Sequence, residues 1–323
     1  MLKDNWLEKQ LKTTRELISD GAAAVGENRL VDAEDKLREA SVVLASALTI
    51  TDDVLTLRIT VFRELAMIAT RTSDTATALQ NYRKALDAAD QLAQRGEHPV
   101  LMERGTILVN VGGIHAATGR VEEGIESSKR AVELFDELGE GPNVALMRTF
   151  ALYHLGACQL GDGDLEGGAT TLRRAAEDGR GLSDDGNPDV SPILVEILTH
   201  LARALANTGE PEEAWSIAGE ATERALALYD ASGSDENLAQ YLQGELDVVS
   251  YAEMAGRFDD AEDSFFKVLD LAGDNPDVLN RGMKFYDALL TRTDEELEAG
   301  GLPREEVEDS RRELMARAAT LTL

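Results

Sequence analysis

The sequence predicts an all-α chain built as a solenoid of antiparallel helix pairs, on three observations. A short phrase recurs with a period near 45 residues, columns of small and large apolar residues align with that period, and the composition favours helix over sheet. The phrase reads GRVEEG at Gly119–Gly124, GDLEGG at Gly163–Gly168, GEPEEA at Gly209–Ala214 and GRFDDA at Gly256–Ala261. Taking its opening turn residue as an anchor extends the series to Asn28 and Ser73, so the anchors stand at 28, 73, 119, 163, 209 and 256, spaced by 45, 46, 44, 46 and 47. Such a period marks a repeat in which each unit buries its apolar face only by stacking on its neighbours.

The columns assign a helix to each side of the anchor. Before it, a first helix carries large residues eleven positions upstream (Leu17, Phe62, Leu108, Leu152, Leu198, with Glu245 breaking rank) and small ones seven upstream (Gly21, Ala66, Gly112, Gly156, Ala202, Val249). After it, a second helix carries Ala33, Ala78, Gly124, Gly168, Ala214 and Ala261 five positions on, then Ala40, Ala85, Ala131, Ala175, Ala221 and Val268 twelve on. Small residues seven apart share a helix face, so a neighbouring helix can cross closely there. Breaks at RGEHP, GEGP, LSDDGNPDVSP, SGSDE and GDNP end each second helix and release the next first helix, because proline and glycine interrupt the pattern. Residues 1–275 thus hold six pairs. Residues 276–323 make a degenerate seventh pair or capping helices, one helix read through DVLNRGMKFYDALLTRTDEELEA and another through LPREEVEDSRRELMARAATL, in one continuous domain.

Aromatic residues are 5% of the chain while alanine and leucine dominate its apolar share, which disfavours strands. Acidic residues outnumber basic ones 61 to 32, for a formal charge of −29 spread along the chain. A nucleic-acid or anionic-membrane surface needs a basic stripe, which no local run supplies, so both partners are excluded. Lysines number eight against 24 arginines, a balance resembling haloarchaeal proteins. At molar salt a Debye length of about 3 Å screens the self-repulsion of such a surface, and an acidic mesophilic protein is the alternative. One cysteine, Cys158, excludes an internal disulfide; no apolar run reaches the ~20 residues of a membrane span, and the start MLKDNWLEKQLK lacks a secretory pattern, so the expected location is cytoplasmic.

The columns resemble the tetratricopeptide repeat, whose pattern of a large residue, Leu-Gly, then Ala, a large residue and Ala is matched by Leu152–Ala175 and by Leu108–Ala131. The usual unit is 34 residues. A unit near 45 lengthens both helices and is similar to the subclass of kinesin light chains and several bacterial regulators. The resemblance implies a right-handed superhelix whose first helices line a concave groove. It places Arg63, Met67, Asn110, Phe150, Tyr153, His154, His200 and Arg203 in the middle of that groove as partner-binding residues. Family members that clamp a C-terminal carboxylate use Lys or Arg and Asn in these columns. Arg63 and Asn110 match, whereas Met67, Phe150 and His154 depart, so the full clamp is absent.

His154 and His200 occupy equivalent places in successive units and are expected roughly 10 Å apart, too far for one metal. They either bond a peptide backbone or satisfy a neighbouring helix. His115 is expected to pack near its turn and Cys158 to be an inert small hydrophobe. The segment Asp184–Asp189 is dense in oxygen but lacks the glycine and final glutamate of a calcium loop, with Val195 at the twelfth place. With no phosphate loop, nucleophile elbow or metal set, the chain is expected to be no enzyme and to need no cofactor. The function expected is a scaffold binding a protein or peptide segment in the groove. A ligand- or peptide-responsive regulator is the alternative. The last helix either caps the stack or pairs with another chain, and the oligomeric state stays open.

Overall fold

The computed structural model describes residues 2–96, 99–184 and 186–321. Among these, every regular element is a helix, and contacts divide the chain into two compact units, Met1–Asp162 and Gly163–Leu323. The first unit holds α1 (Leu2–Gly26), α2 (Leu30–Ala45), α3 (Asp52–Arg71), α4 (Thr75–Ala93), α5 (Pro99–Ala117), α6 (Val121–Leu138) and α7 (Pro142–Asp162). The second holds α8 (Leu165–Asp184), a 3-10 turn (Pro188–Val190), α9 (Ser191–Thr208), α10 (Pro211–Ser232), α11 (Asp235–Met254), α12 (Phe258–Ala272), α13 (Pro276–Leu289), α14 (Asp294–Ala299) and α15 (Arg304–Leu321).

The anchors explain the pairing. All six have left-handed φ, from 58° at Asn28 and 61° at Ser73 to 88° at Gly163. At five of them the next residue's N–H reaches the carbonyl five positions back: Arg29 to Ala24, Asp74 to Ala69, Arg120 to His115, Glu210 to Leu205 and Arg257 to Ala252, at 2.8–2.9 Å. This is the Schellman arrangement, which satisfies the orphan carbonyls of the ending helix and turns the chain at once. The following helix opens on carboxylates such as Glu122 and Glu123, or Glu212 and Glu213, where the helix dipole favours negative charge.

Within the pairs, the small columns are buried at all six repeats. Ala33, Ala78, Ala85, Ala131, Ala175, Ala214 and Ala261 show no exposed surface. Of the large column, Leu17, Leu108, Leu152 and Leu198 are buried, and Phe62 is half-buried under Lys84. Glu245, the odd member, is buried too. It accepts from Tyr241 Oη at 2.9 Å, and Lys267 Nζ lies 3.5 Å away. In the first unit, α1 packs on α3 and α5 on α7 across the pairs; in the second, α9 packs on α11. The odd-numbered helices therefore form one layer in each unit.

The C-terminal part differs from the two-helix reading. The stretch expected as one helix through Ala299 breaks after Leu289, and α14 starts anew at a capping box. Thr293 Oγ1 accepts from Glu296 N while Glu296 Oε2 accepts from Thr293 N, so the capping box satisfies two donors that the new helix start would otherwise leave unpaired. The Gly300 carbonyl then accepts from Phe258 N and Asp259 N, the bare first N–H groups of α12. On α15, Val307 and Leu314 are buried while Glu305, Glu306, Glu308 and Asp309 are exposed.

Candidate functional site

In the first unit, α3 carries Arg63 and, one turn on, Met67, which is 42% exposed. Arg63 Nη1 donates to Glu103 Oε2 on α5 at 2.7 Å and Nη2 to Glu64 Oε1 at 3.0 Å. Burial works against its charge, but Glu103 and Glu64 outweigh it and hold the guanidinium above its usual range. Arg63 is therefore a cation already matched by two carboxylates.

Asn110 on α5 and Phe150, Tyr153 and His154 on α7 are all half-buried. The His154 ring lies against the α5 backbone at Gly113, where an added Cβ would stand 2.8 Å from Nε2. Only glycine leaves room for that ring. Burial pulls the His154 pKa down to about 4, so it is a neutral imidazole at pH 7. Tyr153 leans on it with ring centroids 5.3 Å apart and planes tilted by 48°.

The second unit carries His200 and Arg203 on α9. His200 Nδ1 lies 2.9 Å from the Glu196 carbonyl, and its pKa is lowered by burial and by the Arg203 charge despite that bond. Arg203 is exposed, and its charge also reaches Asp247 and Tyr251 on α11. Burial raises the Asp247 pKa, against a hydrogen bond from Gln243 at 2.9 Å and the charges of Arg281 and Arg203. Arg281, on α13, donates to the Leu246 carbonyl at 3.0 Å and to Ser250 Oγ at 3.1 Å. The eight expected residues thus fall as two sets, six in the first unit and two in the second. Glu103 and Arg281 were not singled out. Their partners lie 40 and 31 residues away, and only the packing of successive odd helices brings them together.

The remaining chemistry-bearing residues are packed. Cys158 is buried, its pKa raised by burial, with Sγ 2.5 Å from the place a Cβ would take at Gly124. His115 is buried, with its pKa lowered by burial and then by Arg120, and among the described residues its Nδ1 has no hydrogen-bond partner. The oxygen-dense segment Asp184–Asp189 includes residue 185, outside the described residues. Beyond it, Asn187 Oδ1 accepts from Asp189 N at 3.0 Å and caps the 3-10 turn. Among the described residues no group of three or more metal-ligating side chains converges, and no helix is long and apolar enough to cross a membrane.

Solved structures share this architecture. The chain is similar to the signal transduction ATPase with numerous domains protein with a tetratricopeptide repeat sensor from Pyrococcus horikoshii, at 13% identity and a TM-score of 0.63. That likeness covers 80% of this chain and 36% of the other, so this chain spans little more than a third of that protein. It is also similar to Pseudomonas aeruginosa PilF, at 16% identity and a TM-score of 0.51 over 81% of this chain and 93% of that one. BtubC (BKLC) from P. vanneervenii stands at 15% and 0.51, over 81% and 89%. The chain has a tetratricopeptide-repeat fold. A family described as a family of unknown function (DUF6483) matches residues 188–318, less than half of the chain and all within the second unit. No curated protein matches the chain in sequence. At these identities the likenesses speak for the fold, and a fold names no partner.

Proposed function

We propose that the chain is a non-catalytic interaction module whose odd-helix layer binds a segment of a partner protein. The observation that carries this reading is the strip Met67, Asn110, Phe150 and Tyr153. Met67 is exposed and the other three are half-buried, on α3, α5 and α7, the odd-numbered helices of the first unit. Arg63 and His154 flank the strip, one charge-matched and the other neutral, and both serve it by shape and hydrogen bonding. In the second unit, His200 and Arg203 form the corresponding contact set. The repeat length near 45 residues supports a longer-repeat subclass, and the acidic, lysine-poor composition suits a molar-salt interior. The charge of −29 disfavours nucleic acid and anionic membranes as partners.

Affinity capture from host-cell extract at molar salt tests the reading, comparing the intact chain with Met67→Glu/Phe150→Ala and with Arg203→Glu. Partners lost with the first variant support a first-unit strip, and partners lost with the second support the α9 set. An unchanged set of captured proteins with both variants refutes the assignment. A second reading, a sensor that changes its partner on binding a small ligand or peptide, draws on the likeness to a protein with a tetratricopeptide repeat sensor. It is favoured if small metabolites or short peptides alone raise the thermal midpoint of the isolated chain.

A further inference from the structure

A pocket of about 380 Å³ opens in the first unit between the N-terminal halves of α3 and α5. Its floor is apolar: Ile59, Leu92 and Val100 are each less than 5% exposed. Its rim carries Asp52, Asp53 and Glu103, and its wall carries the hydroxyls of Thr56 and Thr60. The polar side chains of this lining offer acceptors only. Thr56 Oγ1 gives its proton to the Asp52 carbonyl at 2.9 Å and Thr60 Oγ1 to the Thr56 carbonyl at 3.1 Å, leaving lone pairs toward the cavity. Each rim carboxylate is met through one oxygen by an arginine: Asp52 by Arg95, Asp53 by Arg15 at 3.6 Å and Glu103 by Arg63 at 2.7 Å. The second oxygen of each accepts no hydrogen bond among the described residues.

We infer that this pocket receives a lysine or arginine side chain of the partner segment. The inference rests on the reading that the odd-helix layer binds such a segment. Acceptors over an apolar floor fit an aliphatic stem that ends in a hydrogen-bond donor; a carboxylate or phosphate would face the acceptors of the lining, the three arginines being already paired to the rim. The three arginines balance the formal charge of the rim, so selection comes from directed acceptors at short range. Opening the rim is easy: the Arg15–Asp53 and Arg95–Asp52 pairs are between 41% and 64% exposed, and such pairs contribute little to stability. Arg63, paired with Glu103, and Met67 one turn beyond it continue from the pocket into the partner strip.

The test uses three blocked, fluorescein-labelled pentapeptides, Gly-Leu-X-Leu-Gly, with lysine, norleucine or glutamate at X, titrated by anisotropy against the full chain and against Asp53→Asn/Glu103→Gln. The lysine peptide is expected to bind about tenfold more tightly than the norleucine peptide, with the glutamate peptide weakest. In the double variant, with helicity unchanged, the lysine preference disappears. No binding of the lysine peptide, equal binding of lysine and norleucine peptides, or a preference that survives in the double variant overturns the inference. Competition by free 1,5-diaminopentane as strong as that of unlabelled lysine peptide also overturns it, because the occupant is then a small amine. Absence of lysine selectivity in the intact chain, while Met67→Glu/Phe150→Ala still abolishes partner capture, removes the pocket alone. Undiminished capture by that variant removes the strip instead.

Discussion

Acid should destabilise the first unit in part through one imidazole. His154 is held neutral against Gly113, its pKa pulled from 6.5 to about 4 by burial. The unfolded chain binds that proton first, so the folded state keeps its full stability above about pH 6.5 and loses it as pH falls toward 4, where the loss is complete. Between pH 7.5 and pH 4.5 the linkage amounts to about 2.5 kcal/mol, at roughly 1.4 kcal/mol per pH unit inside the window. Replacing the group with glutamine removes the titration while keeping a similar volume and a polar end. Urea unfolding followed by far-UV circular dichroism at both pH values, on the intact chain and on His154→Gln, isolates the effect. The many surface carboxylates and the other histidines titrate alike in both proteins and cancel in the difference. The variant should lose about 2.5 kcal/mol less than the intact chain on acidification. Equal losses would show that the ring is solvated in the folded state and refute the account. Gly113→Ala should reach the same end from the other side: it displaces the ring, costs about 1–3 kcal/mol at neutral pH by overpacking, and weakens the acid dependence.

Three further outcomes follow from the fold. Tyr241→Phe removes the hydroxyl that serves buried Glu245, leaving Lys267 at 3.5 Å as its partner among the described residues, and should lower the stability of the second unit by about 1.5–3 kcal/mol in urea unfolding. Ser73→Gly relieves a left-handed serine worth about 1–2 kcal/mol against about 0.5–1 kcal/mol of added chain entropy. A net gain of several tenths of a kcal/mol should show as a higher thermal midpoint, while Asn28→Gly should gain less because asparagine tolerates this conformation. Dialysis from molar to millimolar salt should reduce helicity if the acidic surface is an adaptation to salt; unchanged circular dichroism would refute that adaptation.

Most of the architecture was legible because its two requirements are local. A left-handed turn selects Gly, Asn or Ser, and close helix crossing selects Ala or Gly, so anchors and small columns both surface in the sequence at a common period. The break between α13 and α14 was written as Thr293 and Glu296, three apart, but an amphipathic run on both sides masked the new start. Glu245 looked like a lapse in its column; its partners lie four residues back, at Tyr241, and on the next helix, at Lys267. The site was less legible for a related reason. Columns identify which face a residue occupies, yet Arg63 is matched by Glu103 from a different helix, and the pocket beside them depends on how far α3 slides against α5.

The left-handed anchors have one more consequence. Gly119, Gly163 and Gly209 are exposed, and nothing lies within 4 Å of the place where a Cβ would sit on any of them. Their constraint is therefore purely torsional, with no neighbour to clash with and no core to disturb. In a saturation scan such positions would stand out as solitary intolerant teeth on a permissive surface, a comb with a pitch near 45 residues. The comb would reveal the repeat even where the packing columns had drifted beyond recognition.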